Sequence, residues 1–302
     1  MTVTGAAVLG TGLRAPGQLL PGAAALGPRS EAADPAQVLG ARGLRYKDRA
    51  TCLALAAAQL ALLDAGVERS AADLPDDCGV VVSSNHGNLD TVVDAAATIA
   101  EHGTDALSPM ALPNASSNIA ASSVAIRFRL GGPNMTLCNG PTSGLDALHW
   151  GRHLIVAGRA RRVLVIGVES DTAALRSVTG ADGTLFDGAA AVVLEDAADA
   201  LRRGASGHTV VGPYARTASR DESVRALGAL PPVTLWLEGR TDADEAHDLQ
   251  QLCGEASGAL GVLQCVAAAG RPRGAGATVA TAGGAGHDAV AAMAFTPAER
   301  AA

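Results

Sequence analysis

The chain has 302 residues, 48% of them hydrophobic, with a mean hydropathy of +0.21, enough apolar material for one large core or two fused halves. A net charge of -7 excludes a phosphate-backbone binder, which needs a clustered excess of Lys and Arg, so no nucleic acid partner is expected. Only 2% of the residues are aromatic, so the core must be built from Ala, Val and Leu, whose small side chains bring backbones close together.

Apolar β-branched runs alternate with Ala-rich helical patterns, which predicts an α/β protein with buried, mostly parallel strands. In chain order, a strand is predicted over 6–10. A helix follows over 47–65, with Leu53, Ala56, Leu60 and Leu63 at helical spacing and Gly66 as its stop. Strands over 79–83 and 135–138 precede a helix over 143–157 that ends at Gly158. Strands over 162–167 and 189–194 lead to a small-residue joint over 197–207. Further strands are predicted over 233–237, 278–281 and 290–294, with a loop over 270–276.

The five cysteines, Cys52, Cys78, Cys138, Cys253 and Cys265, are widely spaced and form no CxxC or Cys/His cluster. A reduced cytoplasmic setting is expected, with no metal and no cofactor. The opening MTVTGAAVLGTGLRAPG lacks a signal-peptide pattern, and no segment has the uninterrupted apolar length of a membrane span, so no membrane association is expected. The glycine-rich turns at 183–188 and 283–286 have neither GxGxxG nor P-loop spacing, and close backbone packing explains them.

The most informative stretch is 130–170, LGGPNMTLCNGPTSGLDALHWGRHLIVAGRARRVLVIGVES. A strand here runs into the tight turn NGPTSG and straight into a helix, an elbow that projects one residue into a pocket and aims helix amides at it. The stretch resembles the active-site segment of the β-ketoacyl synthases: GPN, a strand, T-A-C-S-S-G, an Ala/Leu-rich helix, a basic turn and a strand ending in G-x-E. The resemblance extends to 47–66 (an early helix), 108–130 (a segment crossing the dimer interface), 186–205 (GEGAGVLVLE, then RGA), 256–261 (AAGALG) and 283–289 (GFGGTNA). It implies a thiolase-like αβαβα layered fold made of two pseudo-duplicated halves, an N-terminal ketosynthase-like half over 1–200 and a truncated C-terminal one over 201–302.

Condensation in that family needs a thiolate to hold the acyl chain and two histidines to stabilise developing charge. On the motif alignment the nucleophile position falls on Pro141 and the two histidines on Arg240 and Leu252, and the sole lysine is Lys47. The resemblance therefore points to a degenerate triad and a non-condensing subunit, closest to a chain length factor of a type II polyketide synthase. The implied partners are an active ketosynthase subunit, in a heterodimer, and an acyl carrier protein carrying the growing chain. Met110, Ala111, Leu112 and Pro113 match the loop that crosses the interface into the partner's acyl tunnel, and Arg127, Arg129, Arg159, Arg161 and Arg162 are candidates for carrier docking.

Two other readings stay open: an acyltransferase with Cys138 or Ser143 as nucleophile, or a homodimeric scaffold that binds acyl chains or carrier proteins. Against the first, a Cys in a strand is ordinarily a buried hydrophobe, and Thr142, Ser143 and Asp146 fit a helix cap. His149 and His153 stand at i and i+4 without a third ligand and read as surface or interface histidines.

Overall fold

The computed structural model describes residues 1–23, 32–67, 77–238, 246–284 and 286–298. In chain order its first half holds β1 (Thr2–Gly10), α1 (Pro35–Leu39), α2 (Arg49–Asp64), β2 (Cys78–Ser83), α3 (Leu89–His102), α4 (Ile119–Phe128), β3 (Asn134–Leu137), α5 (Ser143–Val156), β4 (Arg162–Glu169), α6 (Ala173–Thr179) and β5 (Gly188–Glu195). The short α7 (Ala197–Arg202) leads to β6 (Thr209–Thr217), α8 (Arg220–Ala226), β7 (Val233–Leu237), β8 (Ala246–His247), α9 (Leu249–Cys253), α10 (Leu260–Ala269), β9 (Ala277–Ala282) and β10 (Val290–Pro297).

All ten strands join in the order β3-β2-β4-β5-β1-β6-β10-β9-β7-β8. Counted within its own half, each run of five has the same order from its outer edge: third, second, fourth, fifth, first. Orientations repeat as well. The third and second strands and the second and fourth are parallel, whereas the fifth runs antiparallel to both of its neighbours. The first strands, β1 and β6, meet antiparallel at Thr2↔Val210 and Val3↔Thr209. The internal duplication is thus visible in the sheet itself. The expectation of mostly parallel strands is corrected: β5 and β10 each reverse direction, and their largely apolar sequences give no sign of it because helices cover both faces.

The layers follow from side-chain alternation. One face of the first half, with Val80, Val82, Leu164, Ile166, Ala191 and Val193, packs on α2 and α4. The opposite face, with Val81, Val163, Val165, Ala190 and Val192, packs on α5 and α10. A smaller cluster of Leu227, Val279, Ala292 and Ala294 lies outside the second half, beneath Val224 of α8. The stack is helix, sheet, helix, sheet, helix, with α5 and α10 in the middle. A β-carbon on Gly144 would fall 2.5 Å from the Gly261 nitrogen, and one on Gly261 would fall 2.2 Å from the Leu145 nitrogen. Glycine at both places lets the two central helices cross backbone to backbone.

Local chemistry sets the helix ends. Asp48 caps α2 by accepting from the Thr51 amide at 2.6 Å, and Gly66 takes φ 65° just past its end, as the sequence predicts. The strand β6 is not anticipated. Its Gly212 and Pro213 read as breakers, but the structure absorbs them in a bulge where β10 shifts register between Met293 and Phe295.

Candidate functional site

The strand, turn and helix of the elbow follow one another as the sequence suggests. β3 ends at Leu137, and Gly140–Thr142 form a 3-10 turn that runs directly into α5. Gly140 takes φ 72°, the left-handed reversal that turns the chain toward the crossing of α5 and α10. Pro141 comes next, half-buried. It carries no nucleophilic atom, and its nitrogen has no hydrogen to offer an oxyanion.

The polar groups around Pro141 saturate one another. Asn85, just beyond β2, accepts on Oδ1 from the Gly140 amide at 3.1 Å and from the Ser143 hydroxyl at 3.1 Å. Its Nδ2 donates to the Gly140 carbonyl at 2.9 Å and to Ser257 Oγ at 2.8 Å. These four bonds exhaust a side-chain amide, and because Ser257 belongs to the second half they also tie the halves together. Glu169, at the end of β4, is 3% exposed and anchors the same region. It accepts from the Asn85 amide at 2.7 Å, the Gly258 amide at 3.1 Å and the Ser84 hydroxyl at 3.2 Å.

Ser143 is fully buried, and its hydroxyl accepts from the Asn139 amide at 2.5 Å while donating to Asn85. The expected side-chain cap of α5 is not formed. Thr142 Oγ1 and Asn139 Nδ2 instead each donate to Asp146 Oδ2 at 2.9 Å, and the Tyr214 hydroxyl donates to Asp146 Oδ1. Burial first, and then the Asp146 carboxylate, push the Tyr214 phenol upward in pKa. His149 stacks on the Tyr214 ring at 4.2 Å, with His153 4.4 Å further on, so the histidine pair joins this aromatic patch. Among the described residues, no group of three or more His, Cys, Asp or Glu side chains could hold a metal ion.

Cys138 corrects a second expectation. β3 stops one residue before it, and the side chain is exposed instead of buried. Partial burial, and then the negative charge of Glu169, raise its pKa and keep it a thiol.

The profile of the β-ketoacyl synthase N-terminal domain matches residues 29–186, which is more than half of the chain. The chain belongs to the β-ketoacyl synthase family. Among its curated relatives, 3-oxoacyl-[acyl-carrier-protein] synthase 2 of Rhizobium meliloti is 35% identical over 117 residues, 39% of this chain and 28% of that one. The protein of the same name from Coxiella burnetii is 27% identical over 197 residues, 57% of this chain and 47% of that one. The chain thus spans less than half the length of these two relatives. Among solved structures, the ishigamide ketosynthase/chain length factor superposes with a TM-score of 0.78 at 23% identity, covering 99% of both chains. A type II polyketide ketosynthase, solved in complex with its acyl-carrier protein, superposes with a TM-score of 0.79 at 15% identity, covering 98% of this chain and 99% of that one. These similarities show the thiolase-like fold.

Within this β-ketoacyl synthase homologue, the other two motif positions lie in the second half. Leu252 sits on α9 and packs against the main core, while Arg240 lies outside the described residues. Glu238, two places before Arg240, follows β7 directly at φ 60°. Its carboxylate receives the Leu249 amide at 2.7 Å and the Gln250 amide at 3.3 Å. Burial, and then the neighbouring Asp248, push its pKa up to about 7.

The segment expected to cross a subunit interface lies largely at the surface. Met110, Leu112 and Pro113 are solvent-facing and Ala111 is half-buried, beside a 3-10 turn over Leu112–Ala115. That turn is pinned by buried Asn114, whose Nδ2 donates to the Tyr46 carbonyl at 2.6 Å. Two of the proposed docking arginines are engaged within the chain: Arg127 Nη2 donates to the Leu39 carbonyl at 3.0 Å, and Arg162 pairs with Glu195 at 3.0 Å.

Asn85, Glu169, Tyr214 and Ser257 were not singled out by sequence reasoning. Glu169 closes the G-x-E of the motif, yet nothing local assigns it a role. Asn85 lies 55 residues from Gly140 and 172 from Ser257, beyond any spacing rule.

Proposed function

We propose that this chain is a non-condensing, chain-length-factor-like partner of an active ketosynthase in type II polyketide or fatty-acid-like chain elongation, and that it shapes the partner's acyl tunnel. The elbow carries the reading. Its fold is kept while its nucleophile position is Pro141, and Asn85 occupies the polar groups that would otherwise serve a reacting carbonyl. On the motif alignment, Arg240 and Leu252 replace the two histidines, so neither decarboxylation nor attack has its charge-stabilising groups.

The surface supports a partner. Among the described residues, β3 pairs with β2 alone and stands at the rim of the sheet. Elsewhere on the surface, helix α3 has no fully buried residue although it carries Val92 and Ile99, each 43% exposed. Met110, with 65% of its surface exposed, and Leu112 extend that apolar area. A subunit that does not condense can act through such an interface, with Ala111 setting tunnel depth and an acyl carrier protein delivering the chain to the partner.

Co-expression with an active type II ketosynthase, followed by size-exclusion chromatography with mass determination and an elongation assay, tests the reading. The expected result is a one-to-one complex whose elongation requires this chain and survives Cys138→Ala. A lone homodimer that becomes acylated at Cys138 or Ser143 would overturn it.

A further inference from the structure

Ser257 and His86 line one cavity of about 270 Å³ beside α6, with no hydrogen bond between them in the structure. Leu175, Leu185 and Phe186 give it apolar walls, and Ser257, His86, Glu169 and a second carboxylate, Glu255, supply polar groups. Glu169 Oε2 lies 3.4 Å from His86 Nδ1. The carboxylate pairs with the ring at Nδ1, which leaves Nε2 as the nitrogen that can act as a base. The hydrogen bond to Glu169 also raises the pKa of His86, which favours the imidazolium formed when it takes up a proton.

Ser257 stands at φ 42°, a left-handed conformation that a non-glycine residue rarely holds and that clusters at functional sites. It opens the 3-10 turn Ser257–Ala259 that leads into α10, the place Gly140 takes ahead of α5 in the first half. Its Oγ accepts a hydrogen bond from Asn85, which leaves the hydroxyl proton available to a base. The next amide, Gly258 N–H, binds Glu169, so the turn bearing the hydroxyl and the imidazole are fixed to the same carboxylate.

We infer that Ser257 is an acyl acceptor, with His86 as its base and Glu169 as the positioning residue, acting on esters or thioesters of small apolar acyl groups. The Ser257 oxygen bonds to the acyl carbon while its proton passes to His86 Nε2, the two coming within hydrogen-bond reach as the acyl group enters. The bond from the acyl carbon to sulfur or oxygen breaks, and His86 returns the proton to the departing thiol or alcohol. Water then attacks the acyl-serine by the same route, releasing the carboxylic acid and restoring Ser257. No oxidant or reductant is needed. The cavity falls at the small end of ligand sites, which selects short acyl chains.

The test uses the full chain alone, so its outcome is separate from that of the partner-subunit experiment. The protein is treated with a fluorophosphonate probe and mapped by peptide mass spectrometry, and hydrolysis of a butyryl N-acetylcysteamine thioester is followed in parallel. The expected result is a single adduct on Ser257, with labelling and hydrolysis both abolished in Ser257→Gly, which tolerates the left-handed backbone. His86→Gln should slow both at least tenfold. An adduct elsewhere, no adduct, or hydrolysis that persists in Ser257→Gly would overturn the inference. Should that variant fail to fold, the position of the wild-type adduct decides alone.

Discussion

The side-chain amide of Asn85 and the peptide of Gly140 hold each other in both directions, the Gly140 N–H on Asn85 Oδ1 at 3.1 Å and Asn85 Nδ2 on the Gly140 carbonyl at 2.9 Å. The remaining lone pair and proton of the same amide reach Ser143 and Ser257. One residue therefore closes the elbow and bridges the halves. Asn85→Ala strands these groups in a half-buried site and should cost about 2–4 kcal/mol, read from urea unfolding. A loss below about 0.5 kcal/mol would show that water replaces the amide without penalty.

The crossing of α5 and α10 makes an independent prediction. Gly144→Ala or Gly261→Ala places a methyl group against backbone that belongs to the other helix or its turn, and should cost about 3 kcal/mol or leave no soluble chain. Gly183→Ala is the control, because nothing lies within 4 Å of its added carbon and it should stay within about 0.5 kcal/mol of the parent. Thermal melts of the three variants separate these outcomes.

Glu238 predicts a pH dependence. Its folded pKa is raised to about 7, above the ordinary glutamate value of 4.5, so between these values the folded chain keeps a proton that the unfolded chain has released. Stability from this group is full below the unfolded value and is lost as pH rises toward 7 and through it. Glu238→Gln keeps an acceptor for the Leu249 amide but cannot ionise. Its unfolding free energy should lack the decline that the parent shows from about pH 5 to pH 7.5, and identical slopes in the two proteins would refute the assignment.

Ala111 tests the tunnel. Half-buried beside exposed Met110 and Leu112, it is the small side chain of the interface segment. In the complex with an active ketosynthase, Ala111→Phe should shift the products toward shorter chains with the complex intact. An unchanged product spectrum would remove Ala111 from the tunnel wall.

The fold was legible wherever local pattern and burial coincide. α2 announces itself by apolar spacing, an aspartate cap and a terminal glycine, and β4 by its uninterrupted apolar run. Strand direction was not legible, because β5 is buried on both faces and reads the same either way along the sheet. Nor was α3, which has no fully buried residue. At the site, the elbow could be found from spacing, but the groups that close it could not. Asn85 and Ser257 become neighbours only when the two halves stack, and a single Asn or Ser between strand and helix looks like any loop residue.

The place of β1 in the sheet has a consequence for synthesis. All nine of its residues are buried, and its partners β5 and β6 follow about 180 and 200 residues later in the chain. At about 5–20 residues per second, a ribosome leaves this apolar strand unpaired for roughly 10–40 seconds before β5 emerges. Nascent chains therefore pass through a long aggregation-exposed interval, and the yield of soluble protein in a cell should track translation speed and chaperone supply more closely than the melting temperature of the finished molecule.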